Sequence, residues 1–343
     1  MDKVADNDFY QEDIESILFQ KCDWSLLKRK TILISGATGL IGTVLVDMLA
    51  LLNERFSLGM KLLLISRHAK SSDSDFIKYI KHDISEPINL CDTIDFIIHA
   101  ASNTHPLQYA KFPVETVKTN VFGTYNLLNL ALKNKKCRFL LVSSVEIYGD
   151  DTNNLKNGFS ENDMGYLDCN SSRACYNESK RLSETFCAAF CAEHKIDYVS
   201  ARLCRAYGAT LKKDDSKALS QFLRNAINGE DIVLKSEGNQ FYSYIYSVDA
   251  ASALIFLLLN GKSSQSYNVA DKNSNVRLKD LAAMIARKCG VKIKFDLPSE
   301  PEKKGVSKAQ RAILNPQKIN ELGWKALFAL EKGIERTLKS WGQ

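Results

Sequence analysis

The segment TILISGATGLIG, residues 31–42, runs a short apolar stretch into three glycines, Gly36, Gly39 and Gly42, and from there into a long helical pattern. Few architectures need small residues at the bend between a strand and a helix. One that does turns the backbone sharply, so that main-chain N–H groups and the positive end of the helix face a phosphate. The spacing is G-x-x-G-x-x-G, a variant of the G-x-G-x-x-G fingerprint of dinucleotide-binding folds. Its position, after a strand and at the start of an alternating pattern, favours a nucleotide-binding turn over a simple bend in an apolar sheet.

TILIS, KLLLIS, DFIIHAA, RFLLVSS and DYVSARL are apolar runs of strand length. Helical periods lie after Gly42, through NVFGTYNLLNLAL and through NESKRLSETFCAAFCAEH. Strands alternating with helices predict an α/β chain with a Rossmann-type, doubly wound parallel sheet. Beyond about Tyr207 the regularity weakens into a charged loop (LKKDDSK), a helix (ALSQFLRNAI), strand candidates (DIVLKS and YSYIYS), a helix (LKDLAAMIARKCG) and a C-terminal helix. This part reads as a smaller C-terminal substrate-binding lobe. The expected division is an accessory helical extension over residues 1–30, which carries the amphipathic DIESILFQ; a dinucleotide-binding domain with the catalytic residues over 31–207; and a lobe over 208–343 that returns some elements to the core. Residues 298–304 read as an exposed linker.

At 343 residues and 45% hydrophobic, the chain can bury a large core. The net charge of +6 comes from 46 basic and 40 acidic residues spread along the sequence, so no basic arm of the kind that reads nucleic acid is present. Nine cysteines, an odd number without a C-x-x-C pair, make neither a disulfide framework nor a zinc site, and no metal is expected. The acidic N-terminus is unlike a signal peptide, and the apolar run at 250–259 is too short to span a bilayer. A cytoplasmic chain without a membrane partner is expected.

In such a fold the strand ends and the turns after them meet the cofactor. Gly36, Thr38, Gly39, Leu40, Ile41 and Gly42 are expected on the pyrophosphate. The second strand ends in Ser66, Arg67 and His68. A carboxylate there would accept the ribose 2′-hydroxyl of NAD, and an arginine would accommodate the 2′-phosphate of NADP, so Arg67 leans towards NADP while either cofactor stays open. Asp83 and Ile84 are candidates for the adenine, and Ala100, Ala101 and Ser102 for the pyrophosphate and nicotinamide ribose. His99 reads as a packed strand-end residue, Asn120 as a shaper of the backbone beside the cofactor, and Asp249 as a helix cap or local ion-pair partner.

Tyr176 and Lys180, in RACYNESKR, are four apart on a predicted helix and so share one face. An ammonium there would stabilise a phenolate and lower the tyrosine pKa, making Tyr176 a base for a hydroxyl whose carbon gives up hydride. Ser143 and Ser144, at the end of LLVSS, bring hydroxyls to the same point.

SGATGLIG, HAAS, KTNVFGT, SSVEIYG and YNESK together resemble the extended short-chain dehydrogenase/reductases, the NAD-dependent epimerase/dehydratase family, over roughly residues 31–208. The resemblance implies a catalytic triad of Ser144, Tyr176 and Lys180, with Tyr176 and Lys180 also on the cofactor. It implies a tightly held NAD or NADP recycled within the turnover, a nucleotide-sugar substrate, and a homodimer formed through two helices per subunit, here near residues 114–132 and 176–194. Surface polysaccharide precursors are the expected products.

Glu146 stands where decarboxylases and 4,6-dehydratases of the family carry a glutamate, which implies that it moves the proton at C5 once C4 is oxidised. Val145 departs from both groups; a valine cannot protonate a departing 6-hydroxyl, and decarboxylation needs no such acid. RACY followed by ESKR is closest to the UDP-glucuronate decarboxylases, in which Arg173 would lie near a uronate carboxylate. Arg205 replaces a substrate-holding asparagine, and Tyr242 replaces a phosphate-binding arginine, so Arg205 is expected to take over the pyrophosphate contact. Arg311 falls near a late arginine that meets substrate phosphate or carboxylate. The implied reaction passes through a transient 4-keto sugar: UDP-glucuronate decarboxylation first, 4-epimerisation next, 4,6-dehydration third. A non-catalytic cofactor-binding regulator is the alternative from another class, and the intact Ser144, Tyr176, Lys180 set argues against it.

Overall fold

The computed structural model describes residue 4 and residues 6–67, 74–104, 106–153, 155–212, 215–296 and 310–342. His68, the linker expected at 298–304 and residues 213–214 of the charged loop lie outside the described residues. The chain opens with α1 (Asp8–Glu15) and then runs through β1 (Thr31–Ser35), α2 (Leu40–Phe56), β2 (Lys61–Ser66), β3 (Ile77–Lys81), β4 (Phe96–His99), α3 (Pro106–Lys111), α4 (Pro113–Lys133), β5 (Arg138–Ser144), α5 (Ala174–His194) and β6 (Asp197–Leu203). It continues through β7 (Arg205–Tyr207), α6 (Ala218–Ile227), β8 (Ile232–Leu234), β9 (Phe241–Tyr246), α7 (Ser247–Asn260), β10 (Gln265–Val269), β11 (Asn275–Arg277), α8 (Leu278–Cys289), β12 (Ile293–Phe295), β13 (Arg311–Ala312), α9 (Gln317–Leu322) and α10 (Leu330–Gly342).

Seven strands form one parallel sheet in the order β10-β6-β5-β4-β1-β2-β3. Alternate side chains of each strand serve opposite layers. Ile32, Ile34, Leu62, Leu64, Leu140 and Val142 pack with α2 and α7 residues such as Leu45, Leu49 and Leu254. Leu33, Leu63, Ile65, Ile97, Phe139 and Leu141 pack with α4 and α5 residues such as Leu127, Leu128 and Cys187. Because both faces are covered, the central strands need apolar residues at successive positions, which is why they read as runs and not as alternations. The order reverses between β1 and β4, and that reversal opens a crevice at the C-terminal ends of the strands.

Sequence after Tyr207 also enters the main sheet: β10 pairs with β6, and α7 lies in the layer of α2. The remainder builds a smaller unit in which β9 pairs with β7 and β13 in parallel and with β11 antiparallel, while β8 pairs with β12. Asp249, expected as a helix cap or local ion-pair partner, lies inside α7 and accepts from the Leu327 and Phe328 amides at 2.8 and 3.0 Å, so it ties the C-terminal segment to the sheet layer. The N-terminal segment is held by buried polar contacts. Tyr10 donates to Asp47 at 2.6 Å, Tyr246 donates to Asp13 at 2.6 Å, and Asp13 pairs with Arg336 of α10 at 2.7 Å. Among the described residues, no helix is long and apolar enough to cross a membrane.

Candidate active site

At the end of β1 the backbone turns at Gly36, whose φ of +77° suits glycine and whose Cα faces the next strand so closely that a Cβ would stand 2.6 Å from the Ala101 amide nitrogen. A Cβ on Gly42 would stand 2.1 Å from the Gly36 carbonyl oxygen. The turn therefore packs tightly under the first turn of α2, which has no side-chain cap on its N-terminal amides. Gly36, Gly39, Leu40, Ile41 and Gly42 line one wall of a cavity of about 510 Å³. An uncapped helix N-terminus over a glycine cradle fits a dinucleotide pyrophosphate.

A second cavity of about 170 Å³ continues past Gly36 and Thr38 to Ser66, Arg67, Asp83, Ile84, Ala100, Ala101 and Ser102. Burial alone would raise the Asp83 carboxyl, but the Ser85 amide and hydroxyl, at 2.9 and 2.8 Å, and nearby Arg67 hold it below the ordinary range. Lys212, from the segment after β7, lines the same cavity, and no spacing in the sequence announced it. Asn120 is fully buried and lines neither cavity. It accepts from Ser102 at 2.7 Å and donates to Ser179 at 2.8 Å, so it fixes the Ser102 loop to α5 and does not itself face the cofactor groove. His99 is buried too, with Nδ1 2.8 Å from the Ser35 hydroxyl; desolvation, assisted by the Lys180 charge, pushes it down to about 3 and keeps it neutral.

β5 delivers Ser144 to the large cavity, and α5 delivers Tyr176 and Lys180. The Ser144 and Ser102 hydroxyls both act on the Tyr176 phenol in the direction that favours its ionised form. Its pKa nonetheless lies above the ordinary tyrosine value: burial dominates, Ser144 opposes it, and the Glu146 and Tyr109 charges add to the rise. This differs from the lowering expected from Y-x-x-x-K. The physical reason is burial, which acts on Lys180 as well: its Nζ donates to the Val142 carbonyl at 2.9 Å and its own pKa is pushed down to about 8.

Glu146 follows Ser144 in a short 3-10 turn, with its amide donating to the Ser144 hydroxyl at 3.2 Å. Its carboxylate pairs with Arg205 at 3.3 Å, and Asn177 donates to its other oxygen at 3.3 Å. The Arg205 guanidinium lies over the Tyr242 ring, 3.5 Å from the centroid. Val145, Arg173, Arg205 and Tyr242 all line the cavity. Arg311 does not. Its guanidinium pairs with Asp151 at 3.3 Å and donates to the Leu155 and Lys156 carbonyls at 2.7 and 3.0 Å, so the expectation that it meets substrate gives way to a role in pinning that loop. Tyr109, in α3, went unread in the sequence. Its ring stacks on Tyr176 at 5.6 Å, with Arg173 5.8 Å from its centroid.

Residues 32–270 match the model of the NAD dependent epimerase/dehydratase family. UDP-glucuronic acid decarboxylase 3 of Arabidopsis thaliana is 31% identical over 316 residues, covering 88% of this chain and 86% of the relative. UDP-glucuronic acid decarboxylase 1 of Danio rerio is 28% identical over 321 residues, covering 91% of this chain and 72% of the relative. Among solved structures, UDP-glucose 4-epimerase of Thermotoga maritima, with UDP-glucose, superimposes with a TM-score of 0.76 at 18% identity, covering 91% of this chain and 98% of that one. A dTDP-glucose 4,6-dehydratase of Streptomyces venezuelae, with NAD bound, gives a TM-score of 0.76 at 20% identity, covering 91% and 96%. These two share the fold.

Proposed function

Since the chain belongs to the NAD-dependent epimerase/dehydratase family and is an NAD(P)-dependent nucleotide-sugar enzyme, we propose that its reaction is the decarboxylation of UDP-glucuronate through a transient 4-keto sugar. The observation that carries this reading is the pairing of Glu146 with Arg205 beside Ser144, with the buried valine Val145 between the two where a leaving hydroxyl would need an acid.

The groove along Gly36, Gly42, Ser66, Arg67 and Ala100 fits the dinucleotide, which when bound supplies reversible hydride acceptance at C4 of the sugar. The chain's own residues do the rest. Ser144 orients the C4 hydroxyl and then the ketone, and Tyr176 takes the hydroxyl proton and later returns it. Lys180 supplies the positive charge that makes a phenolate tolerable in a dry site. With a ketone at C4, the C5–C6 bond of the uronate breaks, carbon dioxide leaves, and the electron pair stays on C5 in conjugation with the ketone. Glu146 manages the proton that C5 then requires.

Arg67 at the end of β2 and Lys212 on the same cavity, with Asp83 already held by Ser85, support NADP as the preferred dinucleotide. The exposed apolar side chains Val114, Val117, Phe122, Tyr125 and Leu132 on α4, with Leu182 on α5, support a homodimer through those two helices. A cytoplasmic role in making polysaccharide precursors completes the reading. The test is mass spectrometry of the protein incubated with UDP-glucuronate and, separately, with UDP-, dTDP-, GDP- and CDP-hexoses, each with NAD or NADP. Loss of carbon dioxide from UDP-glucuronate is expected; an epimerised or dehydrated hexose beside untouched UDP-glucuronate sinks the proposal.

A further inference from the structure

Arg205 and Tyr242 occupy adjacent strands of the smaller unit, β7 and β9, in a register that opposes Arg205 to Tyr244. Tyr242 is two residues from Tyr244 and so shares its sheet face with Arg205. The consequence is the face-on stack at 3.5 Å, which holds the guanidinium flat against the ring and leaves its N–H groups only in-plane directions. One in-plane nitrogen, Nη2, is used by Glu146. The other, Nη1, is buried and has no hydrogen-bond partner, while the residue itself lines the large cavity.

A half-buried, oriented guanidinium with one buried nitrogen unpaired costs stability unless a ligand completes it, and a planar fork is best completed by a carboxylate. The location chooses between the anionic groups of a nucleotide-linked uronate. Glu146, which Arg205 pairs with, donates its amide to the Ser144 hydroxyl, and Ser144 and Tyr176 line the same cavity, so Arg205 stands on the side of the reacting hydroxyls. The same cavity has other cations for a diphosphate: Lys217, paired with Asp215 at 3.0 Å, and exposed Lys235. We propose that Arg205, seated on Tyr242, is the specificity-determining residue that binds the C6 carboxylate of the sugar, bridging it to Glu146 and so selecting uronates over neutral sugars. This replaces the pyrophosphate contact expected of Arg205 and takes over the carboxylate contact expected of Arg173, which also lines the cavity but has no buried nitrogen without a partner; it rests on reading the cavity as a nucleotide-sugar site.

The test compares UDP-glucuronate with UDP-xylose, which has the same ring without the carboxylate, by calorimetry on full-length protein carrying Tyr176→Phe so that nothing is consumed. The expected result is at least about tenfold tighter binding of UDP-glucuronate, falling to about twofold when Arg205→Met or Tyr242→Ala is added and persisting with Tyr242→Phe, while UDP-xylose affinity stays within about twofold and reports that each variant is folded. Equal losses for both ligands, or a preference that survives Arg205→Met, overturn the assignment. Turnover of the otherwise unaltered protein separates the two claims. Selective binding without loss of carbon dioxide removes the proposed reaction and keeps Arg205 as the carboxylate reader, whereas decarboxylation with a preference indifferent to Arg205 does the reverse. No preference in the first place overturns the carboxylate assignment and leaves only family membership.

Discussion

The Lys180 ammonium donates to the Val142 carbonyl at 2.9 Å in a site where the side chain is almost wholly buried. Desolvation pushes its pKa from the ordinary 10.5 to about 8, despite the opposing pull of Glu184. A basic group whose folded pKa is depressed penalises the fold while it is charged. That penalty is constant below about pH 8 and disappears as pH rises towards 10.5. It is on the order of 3 kcal/mol, part of which the Val142 bond offsets. Lys180→Met is therefore expected to raise the stability of cofactor-stripped protein at pH 7 by about 1–2 kcal/mol, and to lower turnover by at least about a hundredfold. Urea melts at pH 7 and pH 10 check this; the variant's advantage must shrink at the higher pH, and a variant less stable at both would refute the penalty.

Asp249 gives the opposite sign. Burial raises its carboxyl to about 7 even though the Leu327 and Phe328 amides favour the charged form. An acid with a raised folded pKa contributes stability that is full below about pH 4 and is lost as pH climbs to about 7. Asp249→Asn cannot titrate, so wild-type stability measured relative to that variant should fall across this window, by at most about 4 kcal/mol. A difference that stays flat from pH 4 to pH 7.5 in matched urea melts would show that the carboxyl titrates normally.

The sheet was legible because its central strands are buried on both faces and must be apolar run by run, as in KLLLIS and RFLLVSS. The edge strand β3, IKYIK, mixes half-buried with exposed positions, has no fully buried residue and went unassigned, as did β7, β11, β12 and β13, which span three residues or fewer and carry no period. Ser144, Tyr176 and Lys180 could be placed because a helical spacing and a strand end are local features. The contacts that set the electrostatics are not local. Nothing in the spacing pairs Tyr109 with Tyr176 or Arg205 with Glu146; those pairs exist only because separate segments converge on one crevice. Burial, likewise a tertiary property, raises Tyr176 where the motif alone suggested lowering.

The apolar stripe of α4 supplies a third expectation. Val117 and Phe122 are exposed, while Tyr125 leans on Phe186 and Phe190 of α5, so the two helices already present one continuous face. Val117→Glu with Phe122→Glu should convert a dimer to a monomer in sedimentation velocity while shifting the stability of each chain by less than about 1 kcal/mol, because neither side chain belongs to the core. A wild-type chain that sediments as a monomer at micromolar concentration would contradict it.

The glycine cradle separates conformational cost from ligand cost. Gly42 and Gly59 both accept alanine poorly, but for different reasons. A Cβ at Gly42 would stand 2.1 Å from a backbone oxygen, whereas Gly59, with φ of +61°, has nothing within 4 Å of that position. Gly59→Ala should cost only the left-handed backbone strain, about 1 kcal/mol, and leave dinucleotide affinity unchanged. Gly42→Ala must push α2 away from the Gly36 turn. Because the α2 amides are the groups that fit the pyrophosphate, even a displacement of about 1 Å spoils their geometry, so dinucleotide affinity should fall at least about tenfold. Calorimetric titration of stripped protein with NAD and NADP measures this, and equal affinities for the two alanine variants would mean that the pyrophosphate is held elsewhere.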